Sequence, residues 1–126
     1  MIQINKVSMF WKVVCMLRKK VFLIDDEKDI LEIFKELYEN EKVEILTFSN
    51  HVEALEKAQI QKPDLILIDK NLKKHSGLEV VKLFDSSIKK ILCTGDVNIN
   101  KIPEGFIQVL PKPCSLKEIQ KIFDAI

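Results

Sequence analysis

The chain has 126 residues, of which 47% are hydrophobic and 31% are charged, and its formal net charge is +1. This length fits one globular domain with a buried core. The balanced charge gives no reason to expect a nucleic-acid partner, and no nucleic-acid motif or phosphate-binding glycine loop is present. Cys15, Cys93 and Cys114 lack the spacing of metal ligands. They are typical of free thiols in a reducing compartment, so we expect a cytoplasmic protein.

Residues 1–19 differ from the rest and are taken as an N-terminal extension ahead of a domain spanning residues 20–126. The apolar stretch Met9–Leu17 is interrupted by Lys12 and is too short to span a bilayer as a helix. Its basic cluster, Arg18–Lys20, follows the apolar stretch, whereas a secretory signal carries its charge in front. We favour a loosely packed extension, or an upstream start with Met16 as the natural one, over an anchor on a membrane surface. No insertion into a membrane is expected.

From residue 20 onward, patterns of strands and helices alternate. Short apolar runs predict five strands, at Val21–Ile24, Val43–Phe48, Leu65–Ile68, Lys90–Cys93 and Phe106–Leu110. Helical spacing predicts a helix at Asp29–Glu39. Three further helices are expected to open at Asn50, Ser76 and Ser115, because each of these residues precedes a Glu by three positions, which is a helix-capping pattern.

This alternation predicts an α/β fold with a parallel sheet and helices on both faces. The first, third and fourth strands are apolar throughout and belong in the centre of the sheet. The second strand carries Glu44 and Thr47 and the fifth carries Gln108, so these two suit the edges. The pattern fits the doubly wound, flavodoxin-like strand order 2-1-3-4-5, in which the first and third strands end side by side.

Acidic residues follow the two strands that meet at this point. Asp25 and Asp26 come directly after the first strand, and Asp69 comes directly after the third. Two unit charges about 5 Å apart repel by roughly 3 kcal/mol at an effective dielectric near 20, so such a cluster requires a cation. Oxygen ligands without His or Cys favour magnesium. Thr94 and Lys112 follow the next two strands. They can donate to a phosphoryl group, and a carboxylate can accept one as a nucleophile.

Each of these residues also has an ordinary structural explanation. An Asp after a strand commonly caps a helix, and a Thr there commonly belongs to a turn. The combination is what favours function, because four strand ends carry Asp-Asp, Asp, Thr and Lys-Pro in one order. On these motifs residues 20–126 resemble the response-regulator receiver domain of two-component signalling. The matching residues are Asp25-Asp26-Glu27, Asp69 with Gly77 at the family's spacing, Asn71, Thr94-Gly95 and Lys112-Pro113.

The resemblance implies a role for each residue of the candidate site. Asp69 matches the phosphoacceptor. Asp26 and Asp69 are then direct magnesium ligands, whereas Asp25 binds the ion through water. The backbone carbonyl of Asn71 joins the magnesium shell. Lys112 and Thr94 hold the phosphoryl oxygens, and the Lys112–Pro113 peptide bond is often cis in this family.

Three positions depart from the family pattern. Val109 stands where an aromatic switch residue is usual, and Lys73 stands where a proline is usual. The segment from Thr94 to Lys112 is about one helical turn shorter than in typical members. The fourth helix is therefore expected to be shortened, at about Val97–Lys101. The phosphorylation residues are complete, whereas the aromatic-coupled output is altered.

The resemblance implies a signalling switch that stands alone, in which a sensor histidine kinase or a histidine phosphotransfer protein phosphorylates Asp69. Output is expected through binding to an unknown downstream protein. Self-catalysed phosphoryl transfer and hydrolysis are expected, but no dedicated enzyme activity. Two alternatives are a phosphorelay intermediate and, less favoured, a small magnesium-dependent phosphatase. A phosphatase would need a general acid two residues after the nucleophile, and this chain has Asn71 there. His75 is expected to be a solvated loop residue, and His51 carries no functional expectation.

Overall fold

The computed structural model describes residues 6–96 and 98–126, and it confirms the predicted fold. The strands are β1 (Lys19–Ile24), β2 (Val43–Phe48), β3 (Leu65–Asp69), β4 (Asn71–Leu72), β5 (His75–Ser76), β6 (Lys89–Thr94) and β7 (Gln108–Pro111). Five of them form one parallel sheet in the order β2-β1-β3-β6-β7, and β4 and β5 form a separate small hairpin. Without the hairpin, this is the predicted order 2-1-3-4-5.

Three of the five described α-helices begin at the caps that the sequence predicts. They are α1 (Lys6–Leu17), α2 (Lys28–Tyr38), α3 (His51–Ile60), α4 (Gly77–Val80) and α5 (Leu116–Asp124), and α4 continues into a 3-10 turn at Val81–Leu83. The side chain of Asn50 accepts a hydrogen bond from the backbone of the second residue of α3. The side chains of Ser76 and Ser115 likewise accept backbone N–H groups of α4 and α5. The three predicted N-terminal caps are confirmed.

The core lies on both faces of the sheet because alternate residues of each strand point to opposite sides. On one face, Val21 and Leu23 of β1 pack with α2 and α5. On the other, Phe22 and Ile24 pack with α3 and α4. The apolar residues of β1, β3 and β6 are buried on both faces, whereas Glu44 and Gln108 of the outer strands are partly or fully exposed. Burial of the central strands fixes the position of their carboxyl ends, where the acidic residues follow.

The shortened fourth helix predicted at Val97–Lys101 is not formed in the described part of that segment. Residues 98–107 contain turns, bends and irregular backbone but no helix, and Val97 lies outside the described residues. The side chain of Asp96 accepts the N–H of Asn98 at 2.9 Å, which closes a local turn in place of a helical one. Residues 98, 100 and 101 are exposed, so a helix here would bury little apolar surface to offset the cost of its nucleation. Gly105, with φ of +93°, then reverses the chain towards β7.

The extension forms helix α1 over the part of it that is described. Large apolar side chains of α1 are exposed, among them Phe10 and Trp11. Arg18 at its end forms an ion pair with Glu44 of β2 at 2.9 Å. The division between extension and domain at residues 19 and 20 stays a prediction, and residues 1–5 lie outside the described part of the chain. No described helix is long and apolar enough to cross a bilayer.

Candidate functional site

The carboxyl ends of β1 and β3 bring the three predicted acidic residues together. The strands pair in parallel register, with Ile24 opposite Ile68, so the residues that follow them emerge at the same edge. Asp25, Asp26 and Asp69 each place a carboxylate oxygen within 4.8 Å of the other two. Asp25 is 1% exposed and Asp69 is 9% exposed. Buried, mutually close carboxylates are costly unless cations lie beside them.

Lys112, which directly follows β7, supplies one such cation. Its Nζ lies 3.0 Å from Oδ2 of Asp25 and 3.4 Å from Oδ1 of Asp69. Its backbone N–H donates to the carbonyl of Thr94 at 2.9 Å, which ties its position to β6. The peptide bond between Lys112 and Pro113 is cis. Burial alone would lower the pKa of Lys112, but the hydrogen bond and charge of Asp25, together with Asp69, outweigh it and raise that pKa.

One lysine does not balance three carboxylates. The pKa of Asp69 is raised, chiefly because burial disfavours its charged form and secondarily because Asp25 repels it. Lys112 and the N–H of Asn71, which donates to Oδ1 of Asp69 at 3.4 Å, act in the opposite direction without offsetting the burial. The cluster of Asp25, Asp26, Asp69 and Lys112, called the acidic edge below, therefore has an excess of negative charge that suits a further cation.

The donor atoms of the acidic edge fit magnesium. They are carboxylate oxygens, the ligand type that this hard ion prefers, and no thiol or imidazole converges with them in the described residues. Asp25 already accepts hydrogen bonds at both oxygens, from the N–H of Glu27 at 2.9 Å and from Lys112. Asp26 has no hydrogen-bond or ion-pair partner among the residues described. This difference suits Asp26 as a direct ligand and Asp25 as one that acts through water.

Thr94 lies at the buried end of β6, one residue beyond the partner of Asp69 in the sheet register. Its hydroxyl oxygen accepts the N–H of Asp96 at 3.0 Å. Asp96 in turn pairs with Lys70 at 2.8 Å, and this contact joins the loops that follow β3 and β6. The Thr94 hydroxyl proton can still be donated to an oxygen at the acidic edge.

The structure explains why a glycine stands at position 77, eight residues after Asp69. A Cβ atom at this position would lie 2.3 Å from the carbonyl oxygen of Asp69, a distance that real contacts do not show. The N–H of Gly77 donates to the carbonyl of Lys70 at 2.8 Å. A glycine is therefore required here by the close approach of two backbones, and a larger residue would displace Asp69.

The structure also shows features that sequence reasoning missed. The rings of His51 and His75 are in edge-to-face contact, with centroids 4.6 Å apart. Together with Asp26 they line a cavity of about 370 Å³. On the opposite side of the acidic edge, an apolar cleft of about 470 Å³ is lined by α2 residues such as Ile33 and Leu37. Sequence periodicity cannot show that residues so distant in the chain are in contact. The available signal was that His51 and His75 follow the carboxyl ends of β2 and β3, where site residues of such a sheet lie.

Comparison with known proteins gives matches over nearly the whole domain. The family model described as response regulator receiver domain matches residues 21–124. Sporulation initiation phosphotransferase F of Bacillus subtilis is 26% identical over 112 residues, which cover 83% of this chain and 90% of that protein. The alkaline phosphatase synthesis transcriptional regulatory protein PhoP of the same organism is 39% identical over 66 residues, which cover 52% of this chain and only 28% of PhoP.

Solved structures share the fold along most of their length. A CheY-like response regulator receiver domain from Methylobacillus flagellatus has a TM-score of 0.75 at 25% identity, covering 86% of this chain and 98% of that one. The chemotaxis response regulator CheY4 of Vibrio cholerae has a TM-score of 0.74 at 26% identity, with the same coverage. The chain therefore belongs to the response regulator receiver domain family, the phosphoaccepting domains of two-component signalling.

Proposed function

We propose that this chain is a phosphoacceptor switch whose Asp69 is phosphorylated in a magnesium-dependent reaction. The observation that carries the proposal is the acidic edge, where three carboxylates lie within 4.8 Å of one another beside a single lysine. Fold stability gives no reason for this arrangement, since the like charges repel. The family places phosphoacceptor chemistry at such a site.

In the proposed reaction a carboxylate oxygen of Asp69 attacks the phosphorus of a phosphohistidine. The phosphorus–nitrogen bond breaks, its electron pair stays on the imidazole nitrogen, which is then protonated, and a phosphorus–oxygen bond forms to Asp69. Lys112 and Thr94 donate to the phosphoryl oxygens. Magnesium, held by Asp25, Asp26, Asp69 and the backbone carbonyl of Asn71, supplies positive charge against the carboxylates and the phosphoryl oxygens.

The proposed phosphodonor is a sensor histidine kinase or a histidine phosphotransfer protein in the cytoplasm. Output occurs when the phosphorylated surface binds an unidentified downstream protein. Hydrolysis of the acyl phosphate is self-catalysed and resets the switch, so the chain acts without being a dedicated enzyme. The alternative of a small phosphatase is disfavoured by Asn71, an exposed residue that cannot serve as the general acid.

A second candidate is a phosphorelay intermediate, which returns the phosphoryl group to another histidine protein. Two observations favour it. The relative covered over 90% of its length carries the name phosphotransferase. The connection between β6 and β7 has no helix in its described residues, which removes part of the face that commonly carries output. Transfer of label from the phosphorylated chain to a purified histidine phosphotransfer protein would separate the relay from a terminal switch.

The direct test is incubation with magnesium and a small acyl phosphate, followed by intact mass. We expect a gain of one phosphoryl group, which requires magnesium and is absent in Asp69→Asn. Asp124→Asn is the matched control, because this exposed residue lies beside Lys19 and Lys42 at the opposite end of the sheet, and it should be phosphorylated normally. Phosphorylation of Asp69→Asn, or peptide mapping that places the group on His75 or Thr94, would overturn the assignment.

A further inference from the structure

The two histidines of this chain meet at one place, although they are far apart in sequence. His51 is the first residue of α3, and His75 lies in β5 of the hairpin that follows Asp69. Their ring centroids are 4.6 Å apart with an interplanar angle of 74°. Neither family resemblance nor local pattern accounts for this contact. Two imidazoles held together at the surface are a common pair of ligands for transition metals.

The cavity beside the pair is open to solvent and holds charges of both signs. The rings line an open cavity of about 370 Å³ together with the carboxylate of Asp26. Three lysines, at positions 28, 73 and 74, also line it, and their charges oppose a cation there. Burial and the proximity of His75 lower the pKa of His51. A neutral imidazole is the form that binds a metal, so the ring is available at neutral pH despite the lysines.

We propose that His51 and His75 form a binding site for a divalent transition ion such as Zn²⁺, Ni²⁺ or Cu²⁺, with solvent at the remaining positions. Imidazole nitrogens suit these ions, whereas magnesium prefers oxygen, so the site is chemically distinct from the acidic edge. A zinc–nitrogen bond is about 2.0 to 2.1 Å long. Rings 4.6 Å apart can therefore reach one ion by side-chain rotation, and His75 is exposed enough to rotate.

The ion would regulate the acceptor, a consequence that rests on the proposed function. The hairpin β4–β5 begins two residues after Asp69, and a bridged pair of histidines ties this hairpin to α3. The bound ion also places positive charge beside Asp26, which is a proposed magnesium ligand. Both effects restrict the movements and the metal exchange that phosphorylation requires. The transition ion should therefore slow phosphorylation of Asp69.

The test is zinc titration of the full chain, followed by NMR of the imidazole nitrogens in saturating magnesium. Only two ring spin systems exist, so each signal is assignable with His51→Gln and His75→Gln. We expect both rings to shift together with one apparent affinity. In each variant the remaining ring should lose at least about tenfold in zinc affinity, the loss that even an indirect ligand partner commonly costs. Lys74 lines the same cavity but is not a ligand, so Lys74→Gln should bind zinc at least as tightly as wild type.

Three results would overturn the site: rings that do not respond, rings that respond independently, or zinc affinity unchanged in both variants. The last result would place zinc at the acidic edge alone, which Asp69→Asn would reveal. A second arm measures phosphorylation by a small acyl phosphate with and without zinc. Zinc should slow wild type and leave His75→Gln unaffected. Equal phosphorylation rates with and without bound zinc would overturn the regulatory step. If no phosphorylation occurs at all, the proposed function is overturned, and the imidazole shifts alone then test the metal site.

Discussion

The acidic edge and the β6–β7 connection, residues 95–107, are neighbours in the fold but are built in different ways. The three carboxylates of the acidic edge follow β1 and β3, whose apolar residues are buried, and Lys112 forms ion pairs of 3.0 and 3.4 Å with Asp25 and Asp69. The described part of the β6–β7 connection is mostly exposed and contains no helix. The sheet core therefore fixes the positions of the acidic residues, whereas local turns and bends set the conformation of the described part of the β6–β7 connection.

Val109 shows the same contrast at the level of one side chain. It lies in β7, half-buried against the core cluster that α3 and α4 cover, and it has no ring that could change position. Asp69, by contrast, is held in place by its pairing with β6, by the close approach of the Gly77 backbone to its carbonyl, and by the ion pair with Lys112. The geometry of the proposed phosphorylation site therefore does not depend on an aromatic side chain at position 109.

Removal or addition of magnesium should give the largest effect on the acidic edge. An ion that binds only the folded state stabilises it by about 2.7 kcal/mol at a hundredfold excess over its dissociation constant. For a domain of this size we expect a rise in melting temperature of about 10 °C. Asp26→Asn should lose most of this rise, whereas Asp29→Asn, in the exposed first turn of α2, should keep it. Identical melting curves with and without the ion would exclude a metal site here.

Loss of Lys112 should be the next largest effect. Lys112→Ala leaves Asp25, 1% exposed, without its cation. Breaking a buried ion pair costs about 3 to 5 kcal/mol, and because Lys112 is itself about a third exposed we expect a loss of about 1 to 3 kcal/mol in metal-free urea unfolding. Lys117→Ala on the exposed surface of α5 is the matched control and should change little.

The pH dependence of this variant has a definite sign. The pKa of Lys112 is raised in the folded state, so its stabilising contribution is complete below the unfolded pKa of about 10.4 and is lost as pH rises through the folded value. The difference between wild type and Lys112→Ala should therefore be constant near neutral pH and narrow in strong alkali. If the stability difference between the two proteins instead grew as pH rises into strong alkali, the ion pairs of Lys112 could not be its cause.

Asp69→Asn should have a smaller effect of opposite sign. It removes one of three repelling charges and also a partner of Lys112, and the raised pKa of Asp69 shows that its charge is a net cost to the fold. Without metal at neutral pH we expect the variant to be more stable than wild type, by less than the roughly 3 kcal/mol that one pair of carboxylates about 5 Å apart costs at an effective dielectric near 20. The cost of the charged form is complete above the folded pKa and vanishes below the unfolded value, so the gain should disappear in acid. A variant less stable than wild type at neutral pH would show that the Lys112 contact outweighs the repulsion.

These regions also show why the sequence predicted one part of the molecule better than the other. The central strands are continuous apolar runs, and their burial determines where Asp25 and Asp69 emerge, so the edge followed from local pattern and strand order. The β6–β7 connection has no such run. Its conformation depends on single contacts, such as the turn at Asp96, and on the φ of Gly105.

The histidine pair and the hairpin β4–β5 were beyond sequence reasoning for a related reason. His51 and His75 meet only because α3 and the hairpin lie side by side above the strand ends. The hairpin has two residues in each strand, which is too short for any periodicity. Features that rest on one tertiary contact leave no repeating signal in the chain.

The smallest expected effect is the change in amide chemical shifts that phosphorylation causes in the β6–β7 connection. Because Val109 has no ring to reorient and no helix follows Thr94 in the described residues, we expect the largest amide shifts on phosphorylation in the loops around Asp69 and at the start of α2. A partner would then use α2, where Ile33 and Leu37 are exposed. The measurement is a comparison of amide spectra before and after treatment with an acyl phosphate, with Asp69→Asn as the unphosphorylated control. Shifts confined to β6, β7 and α5 would show that output still follows the usual face, through contacts other than an aromatic ring.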